Sequence, residues 1–171
     1  MMSLNNSLAD FTNDNIERFT LNGIHTYAKV LSITDGDTCD IVFYHTEMRE
    51  FMRFKSRLLG YDASELNKYP WTAKLTRDYL AHICMGNDPR DFDESGIWEE
   101  DDLQDRLNES NNSVYVFLGE FDSFGRVLAL FYKSIDEFVD ADGESINDMM
   151  ADYINKMPDS STSSESSSDE E

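Results

Sequence analysis

Three stretches of the chain carry residues whose types and spacing suit chemistry. In ITDGDTCDIVFY, residues 33–44, the carboxylates Asp35, Asp37 and Asp40 fall within six residues, at the mouth of what otherwise reads as a β-strand. Acidic side chains are poor strand formers, and like charges this close repel. A turn is one explanation, since Asp-Gly is a strong hairpin signal. A cation is the other, because clustered carboxylates offer the oxygen ligands that a hard ion takes. In RLLGYDASE, residues 57–65, Arg57, Asp62 and Glu65 follow one another closely, and DSFGRVLAL, residues 122–130, supplies Arg126. Singly, each has an ordinary explanation: a surface strand cation, a lead-in to a helix, a residue after a turn.

The elements that must position these residues are legible in the periodicity. Residues 27–33 and 38–44 read as β-strands rich in β-branched and aromatic side chains, joined as a hairpin by TDGD. FMRFKSRLLG, residues 51–60, alternates, with Phe51, Arg53, Lys55 and Arg57 on one side and Met52, Phe54, Ser56 and Leu58 on the other. Residues 71–85 predict a helix whose stripe is Trp71, Leu75, Tyr79, Leu80, Ile83 and Cys84, with Pro70 near its start and Gly86 to end it. Two more strands follow at 113–121 and 126–132, with DSFG as their turn. The last helix carries Ile146, Met149, Met150, Tyr153, Ile154 and Met157 on one face, with Ser145 and Asp148 spaced for a capping box. This order fits an α+β domain: a small five-stranded barrel closed by helices, for which the OB-fold is the commonest architecture.

Two segments stand apart. Residues 87–112 form an insert too long for an ordinary loop, with ten acids against two bases and a formal charge of −8. Within it IWEEDDLQDRL suits a short helix. Residues 158–171, PDSSTSSESSSDEE, are low in complexity and predict a disordered acidic tail. Thr162, Ser166, Ser167 and Ser168 each precede an acid by three residues, a pattern used by acid-directed kinases. The domain reading is therefore an N-terminal extension at 1–24, a barrel domain at 25–157 containing the 87–112 insert, and the tail at 158–171.

The chain of 171 residues carries 35 Asp+Glu against 14 Lys+Arg, a formal net charge of −21. Any function on a polyanion has to work against that charge. The N-terminal MMSLNNSLADFTNDN has no basic flank and no apolar run, so it does not read as a signal peptide, and no stretch approaches a membrane span. An intracellular, soluble protein with no membrane partner is expected. Cys39 and Cys84 have no zinc spacing with His25, His45 or His82 and lie in apolar patterns, so reduced, partly buried thiols are expected.

Taken together, DGDT at 35–38, RLLGYDASE at 57–65 and DSFGRVLAL at 122–130 resemble, in this order, the DGDT turn, RLxGIDxPE segment and DxYGRxLA hairpin of the staphylococcal-nuclease (thermonuclease) family. The resemblance covers roughly residues 27–157, and SINDMMADYI looks like the family's helix after the hairpin. It implies an OB-fold barrel that hydrolyses phosphodiester bonds of DNA or RNA with calcium. Asp37 and Asp62 would bind the ion with the backbone carbonyl of Ala63, and Asp35 would lie near it through water. Glu65 would be the general base, and Arg57 and Arg126 would grip the scissile phosphate. Arginine suits that role because it is always charged and donates two parallel hydrogen bonds. An intracellular setting follows from the same resemblance, with a viral protein in a host cell as one version of it.

The chain also departs from the family. Ala63 replaces a threonine, Ser64 a proline, and Ser123-Phe124 a Lys-Tyr pair, so a cation and a phenol that help hold the nucleotide are absent. The family's last helix and the tyrosines before it have no counterpart. Two other functions compete. One is a nuclease-like OB-fold binding module, as in degenerate repeats of larger scaffold proteins, although Asp37, Arg57, Asp62, Glu65 and Arg126 are all retained. The other makes the acidic insert and tail a surface for a basic protein partner. The four cations Arg49, Arg53, Lys55 and Arg57 form the densest positive cluster, which Lys74 and Arg77 on the first helix are expected to extend.

Overall fold

A computed structural model describes residues 7–64 and 68–157. The five strands are β1 His25–Asp35, β2 Thr38–His45, β3 Glu50–Leu58, β4 Val114–Phe121 and β5 Val127–Tyr132. The helices are α1 Pro70–Cys84, α2 Glu100–Glu109, α3 Ile135–Val139 and α4 Ile146–Asn155, with a 3-10 turn at Pro89–Asp91. Each expected strand is present within a few residues of its predicted ends, as are both long helices and the short helix in the insert. Helix α3 was not expected. The tail and its phosphorylation pattern lie outside the described residues.

The strands close into a mixed barrel in the order β1-β2-β3-β5-β4, antiparallel everywhere except where β3 meets β5. Alternation does the sorting: Ile41, Phe43, Leu58, Val116, Leu118, Val127, Ala129 and Phe131 point inward and are essentially buried. The N-terminal extension is not wholly separate from the barrel, because Leu21 is fully buried and the Gly23 N–H donates to the Leu118 carbonyl at 2.8 Å.

The weak seam of the barrel is β3 against β5, paired in parallel over only Ser56–Leu58. Helix α4 reinforces it. Buried Asn147 donates from Nδ2 to the carbonyls of Leu59 (2.8 Å) and Ala129 (3.0 Å), and its Oδ1 accepts from the Phe131 N–H at 2.8 Å. Removing that amide would strand three backbone groups, and each buried unsatisfied group costs about 1–3 kcal/mol. The helix that delivers it starts where the sequence says. Ser145 Oγ accepts from the Asp148 N–H at 3.0 Å, and Asp148 accepts in return from the Ser145 N–H at 3.4 Å.

The insert is folded down rather than looped out. Its helix α2 buries Leu103 and Leu107, while Gln104 donates to the Leu31 carbonyl on β1 at 2.7 Å. Beneath it, the ion pair of Arg77 and Asp78 (Nε to Oδ1, 2.9 Å) on α1 grips the backbone of Trp98 from both sides. Arg77 Nη2 donates to the Trp98 carbonyl and Asp78 Oδ2 accepts from the Trp98 N–H, both at 2.8 Å. This corrects two expectations about α1. Arg77 is buried and spoken for, so it does not extend a surface cation cluster. Trp71, placed in the core stripe by periodicity, is 61% exposed in the first turn of the helix, while Leu75, Tyr79, Leu80, Ile83 and Cys84 of the same stripe are buried.

Candidate active site

The three motifs meet at one end of the barrel. The turn from β1 to β2 brings Asp37 beside the C-terminal half of β3, because Thr38 is the cross-strand partner of Arg57. On its other side Arg57 is paired with Leu128 of β5, two residues after Arg126. Arg57, Gly60, Asp62, Asp122 and Arg126 line one open cleft of about 390 Å³.

Arg57 is the hub. Its side chain is only 17% exposed and forms ion pairs with Asp37 (Nη1 to Oδ2, 3.4 Å) and with Asp62. Its Nη1 also donates to the Tyr61 carbonyl at 3.0 Å. The guanidinium therefore ties the β1–β2 turn to the segment after β3. Asp37 is almost fully buried. Its Oδ1 accepts from Thr38 Oγ1 at 2.9 Å, and its Oδ2 accepts from the Ala63 N–H at 2.8 Å. Asp62, by contrast, is exposed to solvent.

Gly36 explains why the turn can sit so deep. A Cβ there would meet the Thr76 side chain of α1 at 2.9 Å and the Ala63 Cβ at 3.0 Å. The turn is thus wedged between α1 and the 61–64 segment, and the Tyr61 hydroxyl closes the wedge by donating to the Gly36 carbonyl at 2.6 Å. Across the cleft Gly125 takes φ +81° in the β4–β5 turn, the left-handed conformation that favours glycine. Asp122 rigidifies this turn by accepting from the N–H groups of Phe124 and Arg126 at 2.9 Å. Its other oxygen takes the Arg126 Nε at 2.8 Å, leaving Arg126 Nη1 to reach Thr38 Oγ1 at 3.5 Å. Arg126 thereby closes a chain of polar contacts running through Thr38 and Asp37 to Arg57 and Asp62.

The electrostatics are unbalanced. Asp35 and Asp37 press together: burial, then the Asp37 carboxyl hydrogen-bonded against it, push Asp35 up to about 6. Burial also opposes ionisation of Asp37, but hydrogen bonds from Asp35 and the Ala63 N–H, together with the Arg57 charge, hold it below the usual carboxylate range. Asp122 is likewise held low, its partial burial outweighed by hydrogen bonds from Arg126 and Phe124. Asp35 and Asp37 thus repel each other across a partly buried turn, a repulsion that a divalent cation would relieve.

Of the residues predicted for the site, the structure brings together Asp35, Asp37, Arg57, Asp62, Ala63 and Arg126. Ala63 meets Asp37 through its N–H. Glu65 lies outside the described residues. Thr38, Tyr61 and Asp122 complete the site and were passed over, although all three sit inside the quoted motifs. None of the residues lining the cleft comes from the acidic insert. Cys39 and Cys84 are buried free thiols; burial pushes Cys39 up to about 12, which makes it inert. Among the described residues no helix is long and apolar enough to cross a membrane. No protein-family model matches the chain, and no curated protein matches it.

Proposed function

We propose that the cleft hydrolyses phosphodiester bonds of DNA or RNA with calcium, on an OB-fold barrel like that of the staphylococcal-nuclease family. The observation that carries this reading is the convergence of three distant motifs at one end of the barrel: Arg57, Arg126, Asp62 and Asp122 line an open cleft, and Asp37 pairs with Arg57 beside it. The strand order and the parallel β3–β5 seam support the fold half of it.

The donors suit a hard ion. Asp37, Asp62 and the backbone carbonyl of Ala63 offer only oxygen, and Asp35 beside Asp37 would face the ion through water. Calcium bound there would offset the negative charge that grows on the phosphoryl oxygens during hydrolysis. Arg57 and Arg126 supply the rest of that stabilisation, each held by an aspartate so that it need not reorganise as charge develops. Glu65 is the general base in this reading.

Purified protein incubated with single-stranded DNA and RNA, in calcium or in chelator, tests the proposal on a gel. Cleavage is expected only with calcium, and Glu65→Gln should lower turnover by roughly 10²–10⁴. Arg57→Lys and Arg126→Lys should fail as well, because lysine cannot reproduce two parallel hydrogen bonds. Calcium should also raise the melting temperature, and Asp37→Asn with Asp62→Asn should abolish that rise. Wild-type cleavage rates in all three single variants would remove this site from the reaction.

A second reading concerns the insert. Helix α2 and the residue before it expose Glu99, Glu100, Asp101, Asp102, Asp105 and Glu109 while Leu103 and Leu107 anchor the other face. This acidic face suits a basic protein partner and leaves the cleft free.

A further inference from the structure

We infer that the outer face of the β2–β3 hairpin is a track for single-stranded nucleic acid, leading out of the cleft to an aromatic platform. The inference deepens the function proposed above and rests on it for the placement of the scissile phosphate at Arg57.

The face is built as a ladder. Its rungs are the cross-strand pairs Thr38–Arg57, Asp40–Lys55, Val42–Arg53 and Tyr44–Phe51. Every second residue of β3 points to this side, so Arg57, Lys55, Arg53 and Phe51 follow one another at about 6.7 Å and span about 20 Å. An extended single strand lays down its phosphates at a comparable repeat, so each cation can meet a successive phosphate. At the far end Phe51 is 74% exposed and Tyr44 43%, their rings edge to face with centroids 5.2 Å apart. Exposed ring faces of this kind hold unstacked bases, which a duplex hides. In a protein of net charge −21, this is a place where cations gather continuously with the candidate site. An acidic protein would use the charges but has no need of the exposed rings.

Asp40 governs the track. It pairs with Arg53 at 3.0 Å and with Lys55 at 3.8 Å, and its buried Oδ1 has no hydrogen-bond donor among the described residues. The carboxylate holds both cations in line and competes with phosphate for them. A strand on the track must displace it, which moderates affinity and lets a product leave.

The test is fluorescence anisotropy in chelator, with a labelled oligothymidylate of about ten nucleotides and a labelled dinucleotide, across a salt series. The wild type should bind the longer strand far more tightly. Arg53→Ala with Lys55→Ala should lose most of that difference, weaken Kd about tenfold at low salt, and reduce the slope of log affinity against log salt by about 1.4, the value for two phosphate contacts on a single strand. Phe51→Ala should cost about tenfold with the slope unchanged, because stacking carries no counterions, and Phe51→Trp should restore it. Asp40→Asn should tighten binding. Affinities for the longer strand within about twofold of wild type in the double variant and in Phe51→Ala would overturn the track, as would equal competition by polyglutamate. Because no cleavage occurs in chelator, a track that binds as expected in a protein that cuts nothing in calcium would sink the nuclease reading alone.

Discussion

Two buried arginine–aspartate pairs hold this molecule together, and they are built to opposite ends. At the insert, Arg77 and Asp78 are 6% and 0% exposed, and their partners all come from the chain itself: each other and the two backbone groups of Trp98. Charge and hydrogen bonds balance. At the cleft, Arg57 and Asp37 are also withdrawn from water, yet the balance is broken there. Asp35 crowds Asp37, and Asp62 answers Arg57 from full exposure. Four aspartates, Asp35, Asp37, Asp62 and Asp122, face two arginines, Arg57 and Arg126. A buried pair that is complete is a fastener; one left with surplus charge beside an open cleft has capacity for a ligand.

Breaking the fastener gives the largest expected effect. Asp78→Ala leaves the Arg77 guanidinium buried without its counter-ion and frees the Trp98 N–H. Loss of one partner of such a pair costs about 3–5 kcal/mol, so the denaturation midpoint should fall sharply. Asp37→Asn should cost far less, about 1 kcal/mol, because the amide keeps an acceptor for Ala63 and relieves the repulsion with Asp35. Urea titrations of the two variants decide the matter. If Asp37→Asn is the more damaging, the cleft pair is a structural fastener too, and the contrast collapses.

A middle-sized effect is expected where the cleft leans on α1. Gly36→Ala drives a methyl into Thr76 and Ala63, against contacts of 2.9 and 3.0 Å. Over-packing of this kind typically costs about 1–3 kcal/mol. Because the same turn carries Asp35 and Asp37, calcium affinity should fall along with stability, whereas Asp78→Ala should lower stability and leave calcium affinity of the folded fraction unchanged. Calorimetric titration with calcium below the melting temperature separates these outcomes.

The two regions also differ in how far they could be read beforehand. The cleft was legible because its parts lie in short motifs: DGDT and DSFG are turn signals in their own right, and the arginines fall at fixed offsets from them. The strands declared themselves by alternation, and α4 by Ser145 and Asp148. The fastener was not legible. Arg77 and Asp78 are adjacent on a helix, so periodicity assigns at least one of them to solvent, and burial of both depends on Trp98, twenty residues on, arriving with its backbone groups exposed. Asn147 was invisible for the same reason: its value lies in three backbone groups, two on β5 and one just past the end of β3, that only the closed barrel brings together. Local signals fix elements and turns, while polar groups satisfied by distant backbone appear only with the tertiary structure.

The smallest expected effect asks what part of Trp98 matters. Its ring lies under the Arg106 guanidinium, 4.9 Å from the ring centroid, whereas Arg77 and Asp78 hold its backbone, a grip that needs no indole. Arg106 is exposed, and a cation–π contact at such a site contributes about 0.5–1 kcal/mol. Arg106→Ala should therefore shift the midpoint only slightly. In a double-mutant cycle with Trp98→Leu, the coupling should stay below about 1 kcal/mol. In a second cycle, pairing Arg106→Ala with Asp78→Ala, the two effects should add, because the contact above the indole and the backbone grip share no atoms. A coupling above about 2 kcal/mol in either cycle would mean that the ring, not the backbone, transmits the anchoring. The buried pair would then be only half of the fastener, and the complete charge balance that sets it apart from the cleft would have to include Arg106.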